Sequence, residues 1–458
     1  MTKADLYFEK MTKTPVAKLV VSLGIPTTVS MLITSIYNLV DTYFVGTLGE
    51  TSQAATGVLF TLQSVIQAFA FMLGHGSGTY VSKALADKNI KESSQYVSTA
   101  FFTGGFIGTL LMTLGLAFLS PLVTLLGSTE TAKPEAMQYG MWVLIACPFM
   151  ICSLVLNNNL RYEGKALYSM IGLTFGGVLN IFGDWYLVAV KGMGVFGAGL
   201  ATAVSQMVSF TILLVLFIKT AQSKLHFKHF TFSKKVHFEI VKGGFPSLIR
   251  QGLNSISGAV LNNSIKLCVA VDMRDAAMAA MTIVNRFSMF VMCVGLGIGQ
   301  GFQPVAAFNY RAKYYDRVKK ALLSTILIGV CLMLIFAMTG IVFADGIVGL
   351  LQKEGATEVK ALAVPAMRYA CSAIIFLSVS VPANMLFQSI RKAGIASFLS
   401  MLRSGAILIP MILIGSSTLG FLGIQLAQPI SDVLTGLICL PFIIVFLKKK
   451  NFDDDNKK

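Results

Sequence analysis

Three aspartates stand inside long apolar runs: Asp41, Asp184 and Asp432. An acid at the centre of a membrane helix costs about 2.5–3.5 kcal/mol on the insertion scale, so one that is kept there is a functional candidate. Thr34, Asn38 and Asp41 follow an i, i+4, i+7 spacing that places them on one helical face. Asn180 precedes Asp184 by one turn, Thr202 and Gln206 form a second i, i+4 pair, and Asn157, Asn158 and Asn159 run together. Two carboxylates among amide and hydroxyl oxygens offer a site for a hard cation, which prefers oxygen ligands. They equally offer a proton site, because burial beside a like charge lets a carboxyl load and unload near neutrality. The competing reading is that these polar groups only hold helices together.

The elements that must position these groups are membrane spans. Of the 458 residues 55% are hydrophobic and 13% charged, with a mean hydropathy of +0.73. Apolar runs of about 20 residues, long enough for a helix to cross a ~30 Å hydrocarbon core, recur near 16–42, 52–78, 94–119, 135–160, 166–190, 195–218, 239–267, 276–302, 318–343, 358–387, 394–416 and 421–447. The predicted fold class is all-α integral membrane, with twelve transmembrane helices in two pseudo-symmetric six-helix bundles. Residues 1–218 form the N-terminal lobe, 219–238 a linker and 239–458 the C-terminal lobe.

A net charge of +16 would suggest nucleic acid as the partner of a soluble protein. Here the loops alternate, with 27 lysines and arginines on one side and five on the other (Lys133, Lys191, Arg274, Lys353 and Lys360). The positive-inside rule assigns the basic side and both termini to the cytosol, in a cell membrane, with lipid and no nucleic acid as surroundings. The mixed-charge N-terminus lacks a cleavage site, so the first span is expected to stay as an anchor. The seven cysteines lie in apolar runs without metal spacing and read as small buried hydrophobes, and the four histidines form no catalytic set. The expectation is a protein that is not an enzyme, has no cofactor and works as a monomer.

The chain is duplicated. Gly74, Gly76 and Gly78 recur as Gly297, Gly299 and Gly301, Pro26 recurs as Pro246, and Gly194 and Gly197 recur as Gly420 and Gly423. Each glycine triplet ends a predicted span on the basic side and reads as close helix packing or a helix end. With six spans each, the halves share one topology, as expected of an alternating-access machine with its substrate near midplane. The acids are not duplicated. The repeat positions of Asp41 and Asp184 are Leu261 and Pro410, so the first lobe is expected to couple the ion. Pro26 cannot pair with the carbonyl of Ser22 and marks a kink or hinge in the first span.

All five cations within spans belong to the second half. Lys266 and Arg368 are expected to snorkel, Arg250 lies just inside the basic end, and Arg286 and Arg403 lie deep with Asp432. A neutralised Arg–Asp cluster is the structural reading and an anion site the functional one. The 22 methionines and 33 phenylalanines supply adaptable apolar surface for any central cavity.

The segments "LGIPTTVSMLITSIYNLVDTYFVGTLG", "NNNLRYEGKALYSM" and "GVLNIFGDWYLV…GVFGAGLAT" resemble the multidrug and toxic compound extrusion family, most of all its MepA-type and DinF-like branches. The resemblance covers nearly the whole chain. It implies that Asp41, Asn180, Asp184 and Thr202 carry Na⁺ or H⁺. It also implies that Tyr37, Asn157 and nearby residues such as Asn38 and Asn158 touch substrate. Where the NorM-type branch has acids in its seventh and tenth spans, this chain has Asn254 and the neighbourhood of Ser378 and Ser380. The expected function is a secondary antiporter exporting lipophilic or cationic drugs in exchange for H⁺ or Na⁺. The alternative is a flippase for lipid-linked oligosaccharide or peptidoglycan precursor, whose phosphate the deep arginines would suit.

Overall fold

The computed structural model describes residues 3–351 and 357–449, and Lys353, Lys450, Lys457 and Lys458 lie outside them. Among the described residues there is no strand. Twelve long helices follow one another: α1 Val16–Gly46, α2 Glu50–Ala86, α3 Ile90–Ala117, α4 Lys133–Tyr162, α5 Ala166–Val190 and α6 Gly194–Thr220 in the first lobe. The second lobe holds α7 Lys234–Cys268, α8 Arg274–Arg311, α9 Tyr315–Val342, α10 Thr357–Ser389, α11 Ala393–Leu419 and α12 Phe421–Lys448. Eleven have the length and apolarity of a membrane span. The exception, α7, is as long at 35 residues but carries Glu239, Lys242, Arg250, Lys266 and several amides. It packs along α2 of the other lobe.

The helices outrun the apolar runs that predicted them. α2 continues to Ala86 and α8 to Arg311, so the glycine triplets are helix interior and not helix ends. Their role is close packing between the lobes. A Cβ on Gly76 would lie 2.8 Å from the carbonyl carbon of Ile240 in α7, and one on Gly301 would meet the backbone of Gly24 in α1. Gly297 faces Thr28 of α1 in the same way. Small residues let helices approach where lipid provides no hydrophobic drive.

Polar contacts join the lobes at the same end, which is also the end of the basic loops. Arg311 donates to both carboxylate oxygens of Asp87, at 2.8 and 2.9 Å. A further helix, Lys3–Lys13, precedes α1 and bridges the two halves: Tyr7 donates to the Tyr162 carbonyl, and Arg317 donates to the carbonyls of Met11 and Thr14. The connection between α6 and α7 is also tied down. Buried Glu163 accepts from the backbone N–H groups of Gln222 and Ser223, at 2.6 and 3.0 Å.

Candidate ion and substrate site

In the first lobe α1, α4, α5 and α6 bring the predicted acids to one place. Tyr139 of α4 donates its hydroxyl to Asp41 Oδ2 at 2.8 Å. The same hydroxyl lies 3.5 Å from Thr202 Oγ1, which accepts from Asn180 Nδ2 at 3.3 Å. Asp184, one turn beyond Asn180 on α5, is fully buried. Four oxygens here are buried without a hydrogen-bond donor: Asp41 Oδ1, Asn180 Oδ1 and both carboxylate oxygens of Asp184. A buried acceptor without a partner costs about 1–3 kcal/mol, more when charged. Four such oxygens together make an oxygen-rich, donor-poor site, which fits a proton or a hard cation. Asp184 ends the regular part of α5, and a turn of π-helix, Trp185–Val190, follows it. Such widened turns recur at functional sites.

Beside this cluster lies a cavity enclosing about 760 Å³ between its walls, open solvent included. Tyr37, Asn157, Gly176, Gln206, Met31 and Phe71 are among its walls, and Gln300 of α8 reaches it from the second lobe. No lysine or arginine lines it. The two places are in register on three helices. Tyr37 is one turn from Asp41 on α1, Gly176 one turn from Asn180 on α5, and Gln206 one turn from Thr202 on α6. In each case the ion-site residue is the one farther from the basic end. The offset is a single helical pitch, about 5.4 Å. Gln206 Nε2 lies 3.5 Å from the Tyr37 hydroxyl and connects two of the walls.

The MatE family model matches residues 26–186 and again 256–414, once in each lobe. The chain belongs to the MatE family. It is a membrane transporter and not an enzyme. The multidrug export protein MepA of Staphylococcus saprophyticus is 23% identical over 455 residues, spanning 98% of this chain and 97% of that protein. A solved MATE in complex with MaL6 superposes with a TM-score of 0.90 at 22% identity, covering 98% of this chain and 100% of that one. A MATE family transporter of the MOP superfamily, solved in an outward-facing conformation, gives 0.89 at the same identity and the same coverage. These likenesses bear on the fold, a twelve-helix membrane bundle.

Not every candidate of this MatE protein lies at the site. Asn157 lines the cavity and ties α4 to α5 by donating to the Ser169 carbonyl at 3.0 Å. Asn38 is half-buried on α1, does not line the cavity and has no side-chain hydrogen bond there. Asn158 is fully buried away from the cavity, where its Oδ1 accepts from Arg161 at 2.7 Å. Pro26 is buried in an unbroken α1, between Gly24 and Thr28, two of the residues that meet α8.

Two parts were missed at sequence level. Tyr139 carries no charge and is far in sequence from both acids, so only folding shows that it bridges Asp41 and Thr202. Arg161 follows the predicted span 135–160 on the basic side, yet it is 1% exposed. It donates to Gln300 of the other lobe and to Asn158, and reaches His75 Nε2 at 3.2 Å. His75 Nδ1 in turn lies 2.8 Å from Ser247 Oγ of α7. A donor on Nε2 assigns the ring proton to Nδ1. The result is a buried polar latch across the lobes, at the level of the glycine contacts. The only signal for it was an arginine after three asparagines.

Proposed function

We propose that this protein is a multidrug efflux antiporter: it exports lipophilic or cationic organic compounds in exchange for H⁺ or Na⁺ bound among Asp41, Asn180, Asp184 and Thr202. One observation carries the reading. Four buried oxygens without donors, on α1 and α5, stand within one to two helical turns of a cavity that the same two helices line. A cation entering the cluster relieves the unpaired carboxylates, and the same helices feel its arrival at the cavity wall. Coupling then needs only that loaded and empty acids favour different conformations, since a ligand with equal affinity for both states shifts nothing.

With the basic loops in the cytosol, the lobes are sealed on the cytosolic side by the glycine contacts and the Arg161–His75 latch. Asp41 and Asp184 then load from outside, and the drug leaves. Pro26, at the lobe contact, is the point where α1 can bend as the charge on Asp41 changes. The name of the MepA relative, a multidrug export protein, supports the substrate class. A flippase for a lipid-linked sugar would leave the first-lobe oxygen cluster idle.

The test is ethidium efflux from reconstituted vesicles, with a Na⁺ gradient and a pH gradient imposed separately. Asp41→Asn and Asp184→Asn are each expected to abolish efflux while the protein still inserts. Full efflux by both variants would end the antiport reading.

A further inference from the structure

The second lobe holds a cavity that is the repeat counterpart of the first-lobe cavity, with two arginines in walls that carry no charge in the first. The register is fixed by a hydrogen bond present in both halves. Asn157 donates to the carbonyl of Ser169 and Asn384 to that of Ala396, each across 12 residues. In that register, and with the offsets set by Pro26 and Pro246 and by Gly197 and Gly423, the cavity walls correspond. Ser30 matches Arg250, Gly176 matches Arg403 and Ser209 matches Thr435, and all six line their respective cavities. Where the first lobe has a hydroxyl and a glycine, the second has two guanidinium groups. Where the first lobe has its acids, the second has Leu261 and Pro410.

The two arginines are not equivalent. Arg403 Nε donates to Asp432 at 2.7 Å, and Gln428 also donates to that carboxylate, at 2.9 Å. Of the neutralised Arg–Asp cluster expected from the sequence, the Arg403–Asp432 pair is present, and it leaves both Arg286 and Arg250 out. Arg286 is exposed and does not line the cavity, and Arg368 pairs with Asp345 at the surface. Among the described residues Arg250 has no carboxylate partner, and its Nη1 is buried without an acceptor. The other guanidinium at the cavity wall, that of Arg403, carries the same charge. Among the described residues no acid lines the cavity. Two more polar atoms at the wall are buried without partners, the Thr435 hydroxyl and Asn384 Oδ1. A half-buried guanidinium whose buried Nη1 has no acceptor, sharing a cavity with a second arginine, is costly, and an anion is what relieves it.

We propose that this second-lobe cavity is an anion site in which Arg250, with the Thr435 hydroxyl, binds a phosphate group. Arg250 supplies the charge and a forked donor, and Thr435 supplies a second O–H donor. Asn384 Oδ1 accepts from the O–H of a singly protonated phosphate, which an unprotonated carboxylate lacks. The cavity, about 350 Å³, is half the size of its counterpart and suits a headgroup-sized anion rather than a whole drug. The source is either soluble phosphate or a phospholipid headgroup.

The full-length protein in phosphatidylcholine nanodiscs is titrated with inorganic phosphate against chloride at constant ionic strength, with thermal unfolding as the readout. No transport is involved, so the outcome is independent of the efflux reading. The wild type is expected to be stabilised saturably. Arg250→Gln weakens the apparent affinity at least tenfold, and Thr435→Val, which leaves every charge in place, weakens it severalfold. Arg286→Gln removes an equal charge outside the cavity and leaves the affinity unchanged. Adding phosphatidylglycerol to the nanodiscs supports a lipid source if it competes with phosphate, and a soluble anion if it does not. The proposal is overturned if neither phosphate nor phosphatidylglycerol stabilises the wild type, if both cavity variants titrate like it, or if Arg286→Gln weakens binding as much as Arg250→Gln.

Discussion

Alternation between two conformations requires the lobes to part where they now touch, and Gly301→Ala tests that contact directly. A methyl at this position would collide with the Gly24 backbone and sit 2.8 Å from the carbonyl carbon of Leu23. Carbon atoms rest about 3.5–4.0 Å apart, so α1 and α8 must separate by about 1 Å at the crossing. Both partners are helix backbone, so no rotamer change relieves the clash. Overpacking of this kind costs about 1–3 kcal/mol. The cost falls only on the conformer closed at the basic end, because opening removes the contact. The two-state equilibrium should therefore shift by about 5- to 150-fold away from that conformer. The intrinsic helix preference of alanine over glycine, up to about 1 kcal/mol, applies to both conformers and cancels. Spin labels at Thr47 and Asp272, at the opposite end on different lobes, report the shift in a background with the seven cysteines replaced by alanine. The short-distance population should rise at least fivefold. Gly252→Ala, on α7 with nothing within 4 Å, is the control and should leave the distribution unchanged. A Gly301→Ala distribution that superimposes on its parent would refute the idea that these glycines set the conformational balance.

Other expectations are as direct. Tyr139→Phe removes the 2.8 Å donor to Asp41. A hydrogen bond to a charged group contributes about 1.5–3 kcal/mol, so the cation-free site is disfavoured and the half-saturating coupling-ion concentration should fall at least tenfold in transport assays. Arg161→Met leaves Asn158, Gln300 and His75 without their shared donor. Breaking a buried charged network costs about 3–5 kcal/mol, which should appear as a lower unfolding temperature or as loss of folded protein in detergent. Arg311→Gln cuts the Asp87 pair, but both side chains are about one-third exposed. Such a pair contributes about 0.2–1 kcal/mol, so efflux should change less than fivefold, and a complete loss would mean that this bridge is a gate.

Much of this protein is legible along the chain because a bilayer permits few solutions. Apolar runs of spanning length, loop cations sorted to one side and a repeated pattern of Gly and Pro specify helices, their alternation and the two related lobes. The charges at Asp41, Asp184 and Asp432 mark themselves by their cost. Composition becomes misleading where a helix is covered by protein on most sides. α7 tolerates Arg250 and its amides because it lies against α2, and the basic ends of α2 and α8 continue past their apolar stretches because they pack on each other's lobes.

What only the tertiary structure decided is which polar atoms meet. Asp41 and Tyr139 are 98 residues apart, and Arg161 and Gln300 are 139 apart. No local periodicity encodes either pairing, because each depends on how two helices cross. The same holds for absence of a partner. That Asp184 is buried with both oxygens free, while Asp432 is held by Arg403 and Gln428, separates two aspartates that look alike in their apolar runs. Sequence counts the charges inside a membrane protein, but the distances that neutralise some and leave others poised arise only when the helices pack.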